Sequence, residues 1–281
     1  MKIGVSAFAW TARFQPSHLN LLPKLKQMGV AGLEVPMLDP HVLPVVEIRS
    51  AFEANEVECT VCALLPKHIN PISPDKSDRN TAVKYLTECI ETSAEMGAKT
   101  LGGPLFAPIG YLPQHRPTET EFSWAVEVFQ ALDSALDQND MTLSIEPVNR
   151  SETFFLRTAA DAKRLCDSVG NLRIGITIDT FHANIEELSI PQAIKDLGPR
   201  LKHVHLSEND RGPLGRGHIA FDEILAALTK IEFPGYLMIE GFGYDKNETD
   251  APGTLWADVA VSPDSFVEES VGFLKKLMQR A

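Results

Sequence analysis

Four residues with metal-binding side chains recur at regular intervals in the second half of the 281-residue chain. They are Glu146, Asp179, His205 and Glu240, and each stands close to the end of a short apolar run. Successive members are 26 to 35 residues apart, which is about the length of one strand–helix unit. Three carboxylates and one imidazole, without a thiolate, form a hard oxygen and nitrogen donor set. The series therefore predicts one divalent metal ion, and it favours Mn²⁺, Mg²⁺ or Co²⁺ over structural zinc.

Each member of this series has an ordinary structural explanation when it is taken alone. Glu146 could pair with Arg150, and Asp179 could accept hydrogen bonds from the turn that follows it. A single histidine such as His205 is often a core residue, and Glu240 could pair with Lys202 or Arg216. Four such residues in consecutive units favour a shared site, because three acids buried at one point repel unless they are protonated or bound to a cation.

The metal site requires a scaffold that brings together residues from distant parts of the chain. Short apolar, β-branched runs alternate with longer segments of helical periodicity. The predicted strands are Lys2–Phe8, Gly32–Pro36, Glu58–Leu64, Thr100–Leu105, Thr142–Pro147, Arg173–Asp179, Leu201–Leu206 and Tyr236–Glu240. The predicted helices include Ala82–Met96, which is followed by Gly97 as a C-terminal stop, and also Phe122–Leu136, Phe221–Leu228 and Ser265–Met278.

Eight strand–helix units in series, with no linker or change in composition, indicate a closed parallel barrel. The expected fold is an α/β (β/α)8 TIM barrel that takes up residues 1–281 as a single domain. A doubly wound open sheet is the competing arrangement, but such sheets more often have fewer strands. TIM barrels place their active sites at the carboxyl ends of the strands, which is where the four metal-binding candidates fall.

Two connections of the predicted barrel are unusually long. Leu105–Thr118, which is rich in proline and glycine, follows the fourth strand, and Gly241–Ser262 follows the eighth. Long connections in compact domains are usually functional or disordered, and both of these leave the carboxyl ends of strands. We expect them to act as lids or as subunit contacts in a homo-oligomer, either a dimer or a tetramer.

The composition excludes several classes of function. A formal net charge of −12 and the absence of a run of basic residues argue against a nucleic-acid partner. No apolar run is long enough for a membrane span, and the N-terminus lacks the pattern of a secretory signal. There is no glycine-rich phosphate-binding motif. A cytoplasmic enzyme that acts on a neutral small molecule fits these observations best.

The four cysteines include a Cys59-x-x-Cys62 pair that could suggest zinc or redox chemistry. The pair has no second partner pair, and it lies in a predicted strand, where residues three apart point to opposite faces. We therefore expect small buried thiols in a reducing compartment rather than a functional cysteine site.

Three sequence blocks resemble the ketose 3-epimerases, which are the D-tagatose and D-psicose 3-epimerases of the xylose-isomerase-like barrel superfamily. The blocks are Glu146-Pro-Val-Asn-Arg-Ser-Glu, Asp179-Thr-Phe-His-Ala-Asn-Ile-Glu-Glu and His203-Val-His-Leu-Ser-Glu-Asn-Asp-Arg. The resemblance extends over most of the chain and is densest from Leu143 to Glu240. The Asp-Thr-Phe-His-x-Asn-Ile-Glu-Glu block is its most specific part.

The resemblance implies a metal-dependent sugar epimerase that inverts C3 of a ketose through an enediolate, with Mn²⁺ as the expected ion. It assigns the four residues of the opening series to the metal. It also implies that Glu146 and Glu240 exchange the C3 proton from opposite faces of the sugar. Glu152, His182 and Arg211 would contact the ketose oxygens around C1 to C3.

The chain departs from the family pattern where the far end of a sugar would be held. The segment Val5–Trp10 lacks the usual aromatic pair after the first strand, and Glu240-Gly-Phe replaces Glu-Pro-Phe after the eighth. Leu255-Trp-Ala-Asp lacks the arginine of a Val-Trp-Arg-Asp block. These departures leave the identity of the sugar open.

Three alternative functions share the barrel. The first is a related sugar enzyme, either an aldose–ketose isomerase, which would move the proton between C1 and C2, or an epimerase of a 3-keto-glycoside. A DNA-repair endonuclease of this fold needs further histidines, but Gly103–Phe106 has none and Arg216-Gly-His lacks an acid. A non-catalytic sugar-binding barrel is the third alternative.

Overall fold

A computed structural model describes residues 1–242 and 260–280 of the chain. Within these ranges, eight parallel strands pair in sequence order and close between the first and the eighth. The strands are β1 (Lys2–Ser6), β2 (Gly32–Met37), β3 (Glu58–Ala63), β4 (Thr100–Gly103), β5 (Thr142–Ile145), β6 (Ile174–Asp179), β7 (Leu201–Leu206) and β8 (Tyr236–Ile239). The predicted (β/α)8 TIM barrel is confirmed.

The helices surround the barrel and connect its strands. They are α1 (Leu21–Gln27), α2 (Val45–Asn55), α3 (Lys76–Glu95), α4 (Glu119–Gln130), α5 (Asp133–Gln138), α6 (Ala159–Val169), α7 (Thr180–Glu186), α8 (Ile190–Leu197), α9 (Phe221–Lys230) and α10 (Pro263–Met278). Short 3-10 helices stand at Ala7–Ala9, Pro16–Asn20, Pro40–Val42 and Gly198–Arg200. No helix in the described part of the chain has the length and apolar character needed to cross a membrane.

The predicted elements agree with these bounds apart from their ends. The segment predicted as one helix over Phe122–Leu136 is divided into α4 and α5. Helix α3 begins before the apolar periodicity does, because Asp75 caps its N-terminus by accepting a hydrogen bond from the Ser77 backbone. Gly97 follows α3 with φ +86°, as expected of a residue that ends a helix in the left-handed region.

Several strands end earlier than their apolar runs predict. Strand β4 ends at Gly103, whose φ is +125° and where an added Cβ would lie 2.1 Å from the Ala63 carbonyl oxygen. Only glycine fits such a close backbone approach. Strands β5 and β8 stop just before Glu146 and Glu240, so both acids begin the loops above the barrel.

The core fills the barrel and the layer between strands and helices. Val5, Leu33 and Val61, on neighbouring strands, are all fully buried. All four cysteines are free and buried, as the sequence predicts. The continuous apolar burial of the strands is typical of a parallel sheet covered on both faces. This packing fixes the carboxyl ends of the eight strands in a closed ring.

Candidate metal and active site

A cavity of about 390 Å³ opens at the carboxyl ends of the strands. Its lining includes five of the seven predicted site residues, which are Glu146, Glu152, His182, Arg211 and Glu240. The other two, Asp179 and His205, are fully buried among them. Pockets of this size that combine apolar walls with a few convergent polar groups are typical small-molecule sites.

The barrel itself brings the four metal-binding candidates together. Asp179 is the last residue of β6, and its Cα pairs in register with that of His205 on β7. Glu146 directly follows β5. Glu240 directly follows β8, and its backbone N–H donates to the Leu206 carbonyl at 3.0 Å. Adjacent parallel strands therefore place the four side chains at one height.

Side-chain contacts confirm that these four residues surround one point. The Nδ1 atom of His205 lies 3.2 Å from Glu146 Oε1 and 3.5 Å from Glu240 Oε1. Arg211 Nη1 lies 2.9 Å from Asp179 Oδ2 and 2.7 Å from Glu240 Oε2. The separate structural explanations fail for two of them, since Arg150 pairs with Glu186 instead of Glu146 and Glu240 pairs with Arg211.

The donor atoms fit a divalent cation. Two groups of buried potential ligands have donor atoms within 4.8 Å of one another in the described ranges, namely Glu34, Cys62, His205 and Glu240, and Glu146, Asp179 and His182. The predicted quartet takes two members from each group. Asp179 Oδ2 is buried and accepts no well-directed hydrogen bond, although Arg211 lies nearby. A buried carboxylate oxygen with unused lone pairs is suited to metal coordination.

Burial and neighbouring charge shift the ionisation of this cluster. Burial, together with the Asp179 and Glu146 carboxylates, raises the pKa of Glu240 to about 8 despite His205 and Arg211. Burial also opposes ionisation of Asp179, but the charges of Arg211, His182 and His205 outweigh it and lower its pKa. Their surroundings thus raise the pKa of Glu240 and lower that of Asp179. Opposite pKa shifts of neighbouring acids are common in active sites.

His182 and Glu152 lie together on one wall of the cavity. The Asn149 backbone N–H donates to His182 Nδ1 at 3.2 Å, and the Asn149 side-chain amide donates to Glu152 Oε1 at 2.8 Å. Because His182 accepts at Nδ1, its neutral ring carries the proton on Nε2, which faces Asp179 Oδ2 at 3.5 Å. Burial lowers the pKa of His182, which favours this neutral donor form. The sequence reasoning did not identify Asn149.

Arg211 is held in an unusual backbone conformation beside the carboxylates. Its φ is +62°, a region that residues other than glycine rarely adopt and that costs about 1–3 kcal/mol. The guanidinium carbon lies 4.0 Å from the Phe181 ring centroid and 4.8 Å from that of Phe242. Glu208 anchors the loop, since its carboxylate accepts backbone hydrogen bonds from Gly215 and Ile219 at 2.9 and 3.0 Å.

Glu34 and His203 are buried polar residues that the sequence reasoning passed over. Glu34 lies within β2 and contacts both His203 and His205. Burial opposes its ionisation, but the two imidazoles outweigh this effect and hold the pKa of Glu34 below its usual range. One signal was available in the sequence, because an acid in the middle of a strand buried on both faces is unusual.

Part of the cavity wall is apolar. Phe8 lines the cavity, and its ring centroid lies 5.3 Å from that of Phe242. Leu64 packs against the same apolar cluster, and Pro104 also lines the cavity. Trp10, by contrast, does not line the cavity, and its indole Nε1 donates to Asp264 at 2.8 Å. Of the two aromatic residues in Val5–Trp10, one therefore contributes to the wall.

One of the two long connections packs beside the site. In the loop after β4, Ile109 lines the cavity, and the Gly110 backbone N–H donates to the Glu152 carbonyl at 2.8 Å. The loop after β8 falls mostly within residues 243–259, so its predicted role as a lid or subunit contact and the Leu255-Trp-Ala-Asp departure lie outside the described residues.

The Arg216-Gly-His segment of the DNA-repair alternative does not line the cavity. His218 is exposed, and Arg216 pairs with Glu269 on α10. In segment 103–106, the cavity is lined by Pro104, which offers no metal-binding side chain. The described residues of this region do not add ligands for further metal ions.

Comparisons with known proteins agree with this geometry. A probable ketose 3-epimerase of Synechocystis sp. is 27% identical over 279 residues, which cover 99% of this chain and 97% of the relative. An L-ribulose 3-epimerase of Mesorhizobium japonicum is 29% identical over 264 residues, with coverage of 92% and 89%. A solved L-ribulose 3-epimerase structure superimposes with a TM-score of 0.92 at 26% identity, covering 99% of this chain and 95% of that one.

These relatives confirm the resemblance to ketose 3-epimerases seen in the sequence blocks. Their similarity covers the barrel as a whole rather than a single motif. The model of the xylose isomerase-like TIM barrel family matches residues 22–280. Since that match takes in all of β2 to β8 and every candidate site residue, the chain belongs to the xylose isomerase-like TIM barrel family.

Proposed function

We propose that this chain is a metal-dependent epimerase that inverts C3 of a ketose. The observation that carries the proposal is the convergence of Glu146 and Glu240 on His205 at the floor of one cavity. Two relatives support the same reaction class by their names, since one is a probable ketose 3-epimerase and the other an L-ribulose 3-epimerase.

The metal would be held by the three carboxylates and the imidazole of the predicted quartet, Glu146, Asp179, His205 and Glu240. A bound divalent ion supplies Lewis acidity that polarises a ketone and stabilises the charge of an enediolate. The hard donor set supports Mn²⁺, with Mg²⁺ or Co²⁺ as alternatives. Three carboxylates and one divalent ion leave a single negative charge, which suits a neutral sugar better than a phosphorylated one.

Proton exchange at C3 would be the task of Glu146 and Glu240. One carboxylate removes the proton from one face of the sugar, and the other acid returns a proton to the opposite face, which inverts the centre. A base with a pKa near the working pH is the most effective. Burial raises the pKa of Glu240 to about 8 without a bound ion, and the charge of a bound divalent ion would lower it. A positioned acid or base contributes about 10²–10⁴-fold to the rate.

Sugar binding around the reacting carbon would fall to Glu152, His182 and Arg211. Glu152 can accept a hydrogen bond from a hydroxyl, because its side chain lines the cavity and is 36% exposed. His182 can donate from Nε2, since Asn149 occupies Nδ1. Arg211 donates toward oxygens and remains charged at all relevant pH values.

Turnover in D₂O tests the reaction. Metal-free enzyme should be inactive, and added Mn²⁺ should restore conversion of a free ketose with deuterium incorporated at C3. Deuterium confined to C1 or C2 would replace the proposal with aldose–ketose isomerisation. A panel that includes L-ribulose, D-psicose, D-tagatose and a 3-keto-glycoside identifies the substrate, and absence of turnover on the whole panel would favour a binding protein.

A further inference from the structure

Glu34 lies behind the metal-binding histidine and has no part in the proposed reaction. It stands in the middle of β2, its side chain is 1% exposed, and it reaches across the barrel to β7. Its Oε1 atom lies 3.1 Å from His205 Nε2, and its Oε2 atom lies 2.9 Å from His203 Nε2. A buried carboxylate in this position needs a physical reason, because its desolvation is costly unless it is well paired.

The two nitrogens of His205 face two different environments. Nδ1 faces Glu146 and Glu240 at 3.2 and 3.5 Å, whereas Nε2 faces Glu34. Glu34 and Glu240 also have donor atoms within 4.8 Å of one another, but the two ring nitrogens point in divergent directions, and Nδ1 is the nitrogen that faces two members of the quartet. Glu34 is therefore placed to hold the imidazole and not to coordinate the ion bound by the quartet.

We propose that Glu34 is the positioning residue for the metal ligand His205. Its Oε2 atom accepts a hydrogen bond from His205 Nε2–H at 3.3 Å, which leaves the lone pair of the ring on Nδ1, directed at the other ligands. His203 completes the arrangement by donating its own Nε2–H to the same oxygen at 2.9 Å. This inference rests on the proposed function, since it takes His205 as a ligand of the divalent ion.

The physical basis is general to metal sites. A ligating histidine usually donates its other N–H to a carboxylate or carbonyl, which fixes the tautomer and makes the coordinating nitrogen more basic. Glu34 accepts from two imidazoles at once. A glutamine at this position replaces one carboxylate oxygen by an NH₂ group. Both oxygens of Glu34 lie within 3.3 Å of His205 Nε2, so in either orientation the NH₂ group would face the Nε2–H donor and favour the wrong tautomer of this ring.

Metal affinity tests the proposal without recourse to activity. Metal-free wild type, Glu34→Gln and Glu58→Gln are titrated with Mn²⁺ while free Mn²⁺ is followed by electron paramagnetic resonance. We expect Glu34→Gln to weaken binding by about 10–100-fold. Glu58→Gln loses the same charge at an exposed site on the neighbouring strand and should bind like the wild type. Equal affinities for Glu34→Gln and the wild type would overturn the proposal.

The tautomer of His205 provides a second measurement that does not require a variant of Glu34 to fold. In ¹⁵N-histidine-labelled wild type loaded with diamagnetic Mg²⁺, long-range ¹H–¹⁵N correlation should show His205 protonated at Nε2 and unprotonated at Nδ1. The signal is assigned by its loss in His205→Gln. Protonation at Nδ1 would mean that the ion is on the Glu34 side, and the positioning role would be wrong.

The outcomes separate this inference from the proposed function. Weaker metal binding by Glu34→Gln in a protein that turns over no ketose would uphold the positioning role and reject the epimerase. Epimerisation of a ketose by an enzyme whose Mn²⁺ affinity is unchanged in Glu34→Gln would reject only the positioning role.

Discussion

The two halves of the barrel mouth carry different chemistry on the same architecture. Strands β5 to β8 end in or beside Glu146, Asp179, His205 and Glu240. Strands β1 to β4 lead into apolar residues that face the same cavity, among them Phe8, Leu64 and Pro104. Cys62 belongs to this side as well, and burial followed by the Glu34 charge raises the pKa of its thiol far above the usual value, so that it stays neutral.

This difference shows how one barrel can place charged groups and an apolar wall around the same cavity. Buried charges are costly and require partners, and the second half supplies them through Arg211 on the loop after β7 and His182 in α7. The first half gains stability from apolar burial and imposes no such demand. Glu34 is the exception, because it extends from the first half to support a histidine of the second.

Glu240→Gln should give the largest effect, since it removes a proposed ligand and a proposed base from the charged half. We expect turnover to fall by about 10²–10⁴-fold, with the fold retained by circular dichroism. Glu53→Gln, on an exposed turn of α2, is the matched control and should turn over normally. A Glu240→Gln enzyme with near wild-type turnover would exclude this residue from the chemistry.

Arg211→Met should destabilise the metal-free protein. It leaves Asp179 and Glu240 buried without their shared cation, so we expect the free energy of unfolding to fall by about 3–5 kcal/mol. Denaturant unfolding with and without Mn²⁺ measures this loss, and the ion should restore part of it. Arg49→Met removes an exposed arginine whose partner, Glu53, is exposed as well, and it should cost about 1 kcal/mol or less. Similar losses in the two variants would remove the distinction between the charged half and the surface.

Phe8→Leu tests the apolar half. Its side chain loses ring contact with Phe242 but changes no charge near the reacting carbon. We expect KM for the ketose to rise by about 10-fold with little change in kcat, which is the signature of binding lost equally in the ground and transition states. Steady-state kinetics provide the measurement. A large fall in kcat would show that this wall takes part in the chemistry.

Glu58→Gln should have the smallest effect of the series. Glu58 pairs with Lys2 and Tyr236 at the opposite, amino-terminal end of the strands. Exposed pairs of this kind contribute about 0–1 kcal/mol, so thermal unfolding should shift little and turnover should not change. Altered turnover would mean that the distant barrel end influences the site.

Much of the scaffold could be predicted because it is encoded locally. Alternating apolar runs and helical periodicity identify the eight strands, and β7 matches its predicted bounds of Leu201–Leu206. Strand ends are less certain from sequence, since the apolar character of a run does not show where its backbone leaves the barrel. The early end of β4 at Gly103 depends on a contact with Ala63 of the neighbouring strand.

The second-half site could be predicted because its residues stand at strand ends with regular spacing, and parallel strands bring such ends together. The seven candidates are gathered around one cavity, while their individual roles stay predictions. The resemblance to known epimerases supplied Glu152 and Arg211, which spacing alone would have left as surface residues. The strained φ of Arg211 and its place between Phe181 and Phe242 were not visible in the sequence.

The sequence by itself determined the class of fold, the hard donor set proposed to bind the metal and the half of the barrel that carries it. Only the tertiary structure decided what stands behind those donors. Glu34 and His205 are far apart along the chain, and they meet because barrel closure and strand register turn both side chains into the same interior layer. Local periodicity contains no information on which interior residues meet across a closed barrel, because that depends on the register of all eight strands.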